Sequence, residues 1–154
     1  MTKLSIIVPA YNEQATIVDV LESISEQTLD GAEIEVIVVD DGSTDRTMDA
    51  ISACQEILAP VKLRAIRQAR AGAGAARNRA LIYAKGSYLA FLDADDDWLD
   101  DHLRYNMARL QADDLTLVAH NEWIIENDAQ WLNEEFDATV RTRGKAIITA
   151  RGKS

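Results

Sequence analysis

Residues 34–44 read Ile34-Glu-Val-Ile-Val-Val-Asp-Asp-Gly-Ser-Thr44, an apolar run that ends abruptly in a polar turn. The apolar part predicts a buried strand, and the acidic Asp-Gly segment stops it. The same arrangement occurs twice more. Residues 4–8 predict a strand that ends in Pro9-Ala-Tyr-Asn12, and residues 88–92 predict one that ends in Asp93-Ala-Asp-Asp-Asp97. Three predicted strands are therefore each followed directly by a polar cluster.

The segments between these strands carry apolar residues at helical spacing. They are Ile17, Val20, Leu21 and Ile24; Met48, Ile51, Cys54 and Leu58; Ala80, Leu81 and Ala84; and Leu99, Leu103, Met107 and Leu110. Asn12 is the predicted N-cap of the first helix. Residues 61–66 and 115–119 predict two further strands. Strict alternation of apolar strands and helices predicts an α/β protein with three layers (α/β/α) and a mostly parallel sheet.

Length and charge limit the classes of function. The 154 residues suit one domain with a real core, and the formal net charge of −10 argues against nucleic acid and anionic lipid as partners. We expect no transmembrane segment and no signal peptide. The single cysteine, Cys54, fits a reducing compartment, so we expect a cytoplasmic protein. A phosphate ligand would need a local cation, a helix N-terminus or arginines to offset the repulsion from the protein's net negative charge.

The strongest chemical signal is the acidic cluster after the strand at residues 88–92. Asp93 and Asp95 lie two residues apart at a strand end, so their side chains are expected on the same side. Hard carboxylate oxygens at this spacing suit Mg²⁺ or Mn²⁺, with substrate phosphates completing the coordination. The alternative is a solvated acidic N-cap for the next helix, which Asp96 and Asp97 could provide.

Two further clusters have both a ligand and a structural interpretation. An aspartate just past a strand can accept a hydrogen bond from a ribose hydroxyl or a base N–H, and this favours Asp41 as a ligand. For Asp40 the ligand role and simple turn chemistry stay equally open, with Ser43 or Thr44 capping the next helix. Arg77, near a helix start after a Gly/Ala segment, could meet a diphosphate or simply face solvent.

Together, four blocks resemble the family 2 glycosyltransferases of the GT-A fold. The blocks are Ser5-Ile-Ile-Val-Pro-Ala-Tyr-Asn-Glu13, Val38-Val-Asp-Asp-Gly-Ser-Thr-Asp45, Ala76-Arg-Asn78 and Phe91-Leu-Asp-Ala-Asp-Asp96. They occur in the family's order, at the expected strand ends, over roughly residues 3–125. The resemblance implies a nucleotide-diphosphate-sugar donor, usually a UDP- or dTDP-sugar, a divalent metal, Mn²⁺ or Mg²⁺, and transfer to an acceptor hydroxyl with inversion. The acceptor would be a saccharide, a lipid-linked molecule or another hydroxyl compound.

The resemblance also implies roles for single residues. Pro9 and Tyr11 match positions that line the base pocket, and Glu13 follows them toward the ribose. Asp41 matches the aspartate that reads the uracil edge, and Arg77 lies in the block beside the diphosphate. Asp93 and Asp95 match the Asp-x-Asp pair, with Asp95 the direct metal ligand and Asp93 nearer the ribose.

The chain departs from the family pattern in the region after these four blocks. Family members usually continue further, and that part normally carries the aspartate base and the acceptor groove. Asn133-Glu-Glu-Phe136 comes too soon after Asp96 to serve, so the catalytic base stays unassigned. We expect a nucleotide-sugar-binding domain over residues 1–136, and a basic tail or the stub of an acceptor-binding half over residues 137–154. The chain is then a donor-binding half, a truncated gene product or an expressed fragment.

A second function class stays open beside the enzyme. A non-catalytic nucleotide-sugar-binding module, or an inactive fragment without the base, would carry the same four blocks. A phospho-receiver domain fits the length and Asp40-Asp41, but it needs an acceptor aspartate at the end of the third strand. Residues 64–70 contain no aspartate, which disfavours the receiver.

Overall fold

The computed structural model describes residues 2–27, 29–112, 117–119, 122–126, 129–133 and 146–149. Along the chain the elements are β1 (Thr2–Ala10), α1 (Ile17–Ser25), β2 (Ala32–Asp40), α2 (Thr47–Ala53), β3 (Lys62–Arg67), α3 (Ala73–Tyr83), β4 (Tyr88–Phe91), α4 (His102–Ala112), β5 (Leu117–Ala119), β6 (Glu122–Glu126), β7 (Ala129–Asn133) and β8 (Ala146–Thr149). The predicted alternation of strands and helices over the first 112 residues is confirmed.

Six strands form one parallel sheet in the order β3-β2-β1-β4-β8-β5. β1 is central and pairs with β2 along its whole length, from Thr2 opposite Ala32 to Ala10 opposite Asp40. Every residue from Leu4 to Ala10 is buried, as expected for a parallel strand covered on both faces. The α/β prediction is therefore confirmed. β6 and β7 form a separate antiparallel pair.

Two hydrophobic clusters show that helices cover both faces of the sheet. On one face Leu4, Ile6 and Val8 pack with residues of α1, α2 and α4, such as Leu21 and Leu103. The other face holds a smaller cluster, in which Ile7, Ile37 and Val39 pack with Ala76 and Ala80 of α3. Alternate residues of β1 thus point to opposite layers. Each fully buried Leu or Ile contributes roughly 1.5–3 kcal/mol, so the sheet is a rigid base for the loops at its edge.

Several helix boundaries differ from the sequence prediction. Asn12 does not cap α1: it has a left-handed φ of 57°, and the helix begins at Ile17. Leu99 was predicted in the fourth helix, but α4 begins at His102 and Leu99 is 70% exposed. Because the helix starts this late, Asp96 and Asp97 do not provide its N-cap. No helix among the described residues is long and apolar enough to span a bilayer.

The part of the chain after α4 contains strands that the sequence pattern did not indicate. The predicted strand over 115–119 corresponds to β5, while no bounds were predicted for β6, β7 and β8. β8 lies inside the main sheet, between β4 and β5, although its residues belong to the predicted tail. The basic residues of that tail, Arg141, Arg143, Lys145, Arg151 and Lys153, and the acidic part of the segment 133–136 lie outside the described residues. The boundary at residue 136 stays a prediction.

Candidate functional site

A cavity of about 340 Å³ opens at the carboxyl ends of β1, β2 and β4, beside the start of α3. Parallel α/β sheets commonly bind ligands at this edge. The lining residues are Pro9, Ala10, Tyr11, Glu13, Asp41, Arg70, Gly72, Ala73, Arg77, Asp93, Ala94 and Asp95. Seven of the eight residues predicted from the sequence therefore line one cavity. The exception is Asp40.

Asp41 binds the loop that follows β3. Its Oδ1 accepts hydrogen bonds from Gln68 Nε2 and Ala71 N, both at 2.8 Å, and its Oδ2 accepts one from Gly72 N at 2.7 Å. The side chain is only 3% exposed. Burial alone would raise the pKa of Asp41, but these hydrogen bonds and the charge of Arg70 outweigh it and lower the pKa below its usual value. Asp41 is therefore a fixed, ionised acceptor.

The neighbouring Asp40 does not line the cavity. It is fully buried, accepts a hydrogen bond from Ser43 N at 3.0 Å and lies 3.4 Å from Arg67 Nε. These contacts hold the turn after β2, where Gly42 adopts a φ of 76°. The structure thus places Asp40 in the turn role, and its predicted contact with a nucleotide sugar does not agree with this position.

The loop after β1 is held by the loop after β2. Asn12 N donates to Ser43 Oγ at 2.9 Å, and Thr44 N donates back to Asn12 Oδ1 at 2.8 Å. Glu13 N donates to Thr47 Oγ1 at 2.8 Å. Asn12 therefore uses its side chain for this contact between loops, which explains why it does not cap α1. Ser43 and Thr44 do not cap α2 either, because their polar groups also serve the contact.

The acidic turn after β4 is tied to the first loop and to α3. Thr16 Oγ1 donates to the carbonyl oxygen of Ala94 at 2.7 Å, and it also lies 2.9 Å from Glu13 Oε2. Asp93 forms an ion pair with Arg77 Nη2. Asp95 is exposed at the cavity and makes no hydrogen bond or ion pair with any residue that the structure describes. The turn thus presents two carboxylates, one paired and one open.

The donor set of this turn fits a Mg²⁺- or Mn²⁺-type ion. Asp93 and Asp95 offer hard oxygen ligands to one cavity. Within the described residues no group of three or more His, Cys, Asp or Glu side chains could hold a metal. An all-protein cage is therefore not formed there. Mg²⁺ usually binds through one or two carboxylates and takes its other ligands from water and phosphates.

Arg70 and the start of α3 complete the cavity; the sequence indicated the helix start but not Arg70. Arg70 lies 3.7 Å above the ring of Tyr11, and its Nη1 donates to Tyr11 Oη at 2.6 Å. α3 begins after Gly72, which has a φ of 93°, without a side-chain cap. The Gly/Ala composition of residues 71–76 was a usable signal for an open helix N-terminus. A lone arginine in a loop gave no signal for Arg70.

Comparison with known proteins agrees with this architecture. The chain is 35% identical over 126 residues to an Escherichia coli UDP-Glc:α-D-GlcNAc-diphosphoundecaprenol β-1,3-glucosyltransferase, covering 82% of this chain and 48% of that protein. A crystal structure of Staphylococcus aureus TarS in complex with UDP-GlcNAc matches with a TM-score of 0.71 and 31% identity, over 79% of this chain and 35% of that one. The Pyrobaculum calidifontis mannosyltransferase PcManGT, in complex with GDP-Man and Mn²⁺, gives 0.70 and 31%, over 77% and 35%.

The chain spans less than half the length of the curated relatives it matches. The structural likenesses confirm the expected GT-A type of fold. The model of the family described as "Glycosyl transferase family 2" matches residues 5–151, nearly the whole chain. On this match, the chain belongs to glycosyl transferase family 2.

Proposed function

We propose that this chain binds a UDP- or dTDP-sugar with Mn²⁺ or Mg²⁺ and transfers the sugar to an acceptor hydroxyl with inversion. One observation carries the proposal. A single cavity brings together an ionised acceptor at the end of β2, an uncapped helix start with Arg77, and the Asp93/Asp95 pair at the end of β4. The acceptor at the end of β2 suits the base of a nucleotide sugar, the helix start with Arg77 suits its diphosphate, and the aspartate pair suits the cation. The names of the relatives agree, since they include a transferase that uses UDP-Glc.

Asp41 is suited to reading a base through one N–H group. A carboxylate offers about four acceptor positions, and three of them are used by Gln68, Ala71 and Gly72. The remaining position on Oδ2 can accept from the ring N–H of uracil or thymine. Cytosine presents a ring nitrogen that is itself an acceptor, so it would face the carboxylate unfavourably. Pro9 and Tyr11 would pack against the base, and Glu13 would face the ribose.

The diphosphate would lie between α3 and the turn after β4. The N–H groups at the start of α3 have no side-chain cap and Ala73 borders the cavity, so they can donate to phosphate oxygens, whereas the N–H of Gly72 is already bound to Asp41. Four acids and two arginines line the cavity, so a free diphosphate is repelled. Asp93 and Asp95 would hold the divalent cation. When bound, that ion neutralises the charge that develops on the leaving diphosphate.

The residues that line the cavity do not identify the acceptor or the base that deprotonates it. In the proposed reaction, the acceptor hydroxyl attacks the sugar carbon opposite the departing diphosphate and loses its proton to a base that we do not assign. By analogy with the lipid-linked acceptor in the name of the Escherichia coli relative, a lipid-linked or polymeric saccharide is the proposed acceptor class. The second candidate is a non-catalytic donor-binding module, which fits the same cavity, since no residue that lines it is assigned as the acceptor base.

Thermal unfolding in the presence of nucleotides tests the donor proposal. UDP with Mn²⁺, at a hundredfold excess over Kd, should stabilise the native state by roughly 2.7 kcal/mol. The same UDP with EDTA should give a much smaller shift, and CDP with Mn²⁺ should give less than UDP. A shift of equal size in EDTA would refute the metal-dependent proposal. Metal-dependent hydrolysis of UDP-sugars then separates the enzyme from the binding module, because the module binds the donor without cleaving it.

A further inference from the structure

The ion pair between Arg77 and Asp93 spans the proposed diphosphate position. Arg77 lies in the second turn of α3, and Asp93 follows β4, sixteen residues later in the chain. Arg77 Nη2 donates to Asp93 Oδ1, and the two side chains are 34% and 39% exposed. Both residues line the cavity. The pair is therefore formed at the cavity wall, where an incoming ligand can reach both partners.

A divalent cation and the Arg77 guanidinium would compete for the same carboxylate. Both carry positive charge, and both interact with the oxygens of Asp93 at short range. Asp95, by contrast, is open to a cation, because no residue in the described part of the chain pairs with it. Holding the guanidinium and the cation on one carboxylate would place like charges a few ångströms apart.

We propose that Arg77 is the internal counter-ion of Asp93 in the donor-free protein, and that binding of the cation and the diphosphate exchanges its partner. Asp93 then passes from Arg77 to the cation, while Arg77 passes from Asp93 to the diphosphate. Each charge keeps an opposite charge beside it throughout, so neither is left bare in the acidic cavity. The inference rests on the proposed function and deepens it. It predicts that donor and cation bind tightly together, whereas the cation alone binds weakly.

The exchange predicts opposite effects of one substitution on two ligands. Arg77→Gln removes the competitor for Asp93, so donor-free protein should bind Mn²⁺ about tenfold more tightly. The same variant loses a partner of the diphosphate, so UDP at saturating Mn²⁺ should bind about tenfold more weakly. If instead the Arg77–Asp93 ion pair stays intact when the ligands bind, the prediction differs. The loss of Arg77 would then not move the affinities for Mn²⁺ and UDP in opposite directions.

Arg79→Gln is the matched control for the change in net charge. Arg79 lies on the same helix two residues along, is exposed, and has its guanidinium carbon 5.7 Å from the ring centre of Tyr83. Mn²⁺ binding is measured by electron paramagnetic resonance on the 154-residue chain, and UDP binding by calorimetry. Arg79→Gln should leave both affinities near the wild-type values. Arg77→Lys keeps the charge and serves as the second variant, with a Mn²⁺ affinity near wild type expected.

The outcomes separate the exchange from the proposed function. If Arg77→Gln and Arg79→Gln bind Mn²⁺ alike while UDP still requires Mn²⁺, the exchange is refuted and the proposed function stands. If wild type and both variants bind no Mn²⁺ even with UDP present, the metal-dependent function is refuted and the exchange with it. Tighter Mn²⁺ binding in Arg77→Gln alone, together with weaker UDP binding, supports the exchange. Melting curves of the donor-free proteins verify that each variant is folded.

Discussion

Replacing Asp41 by Asn tests whether this residue holds the cavity together. The change keeps the shape of the side chain but replaces one acceptor oxygen by an amino group. In either orientation of the new amide, one backbone N–H, that of Ala71 or that of Gly72, faces the amino group instead of an oxygen. A buried hydrogen bond to a charged group contributes about 1.5–3 kcal/mol, and water in the open cavity reduces that value. We therefore expect Asp41→Asn to lower the free energy of unfolding by about 2 kcal/mol.

The pH dependence gives the same prediction a second readout. The folded pKa of Asp41 lies below its ordinary value of 3.8, so the folded state favours the ionised form. This stabilisation is complete above the unfolded pKa and is lost as the pH falls through the folded pKa. The gap between wild type and Asp41→Asn should thus stay constant from about pH 5 to 8 and narrow below about pH 4.

Urea unfolding at pH 7 and at low pH measures this gap, with Asp95→Asn as the control. Asp95 undergoes the same chemical change at an exposed position in a crowded acidic turn. Its replacement should leave the stability of the ligand-free protein unchanged or slightly higher, because it relieves repulsion between carboxylates. A loss below about 0.5 kcal/mol for Asp41→Asn, within the range of ordinary surface changes, would refute the view that Asp41 anchors the loop.

Three further predictions follow from single contacts. Gly42→Ala should destabilise the fold by about 2 kcal/mol or more, measured by urea unfolding, because a Cβ would meet backbone atoms at 2.9 and 3.2 Å at a φ of 76°. Thr16→Val should weaken Mn²⁺ binding about tenfold, since it frees the acidic turn from the first loop, whereas Thr16→Ser should not. Lys62→Met should raise the pKa of Glu33 from about 2 toward 4.5, read from its carboxyl NMR titration.

The sheet could be predicted because consecutive residues in the sequence are enough to identify its central strands. Residues 36–39 form an unbroken apolar run, and a strand buried on both faces needs such a run. Helix starts depend on distant partners instead. The oxygen of Asn12 is taken by Thr44, 32 residues away, and Thr16 bonds to Ala94, 78 residues away. No local pattern contains this information, so the predicted N-cap at Asn12 was wrong.

The candidate site could be predicted in outline but not in the role of each side chain. Acids at strand ends indicated the right edge of the sheet, because carboxyl ends of parallel strands meet there. Asp40 and Asp41 are adjacent, and the sequence does not say which of them faces the cavity. Arg70 was missed because its place is set by the hydrogen bonds of Asp41 to the backbone at residues 71 and 72.

Much of the polar chemistry in the family's motifs is used inside the protein, which narrows the set of residues that can meet a ligand. Ser43 and Thr47 accept hydrogen bonds from the loop after β1, Asp40 holds its own turn, and Asp41 keeps only part of its acceptor capacity. With the hydrogen bond from Thr16 to Ala94, the loops after β1, β2, β3 and β4 are fixed to one another before any ligand binds. The cost of ordering them is met on folding, so the binding energy of a donor is not spent on it. Arg77 stands apart, since its described partner Asp93 is itself a candidate metal ligand. Movement on binding is therefore expected first at that ion pair.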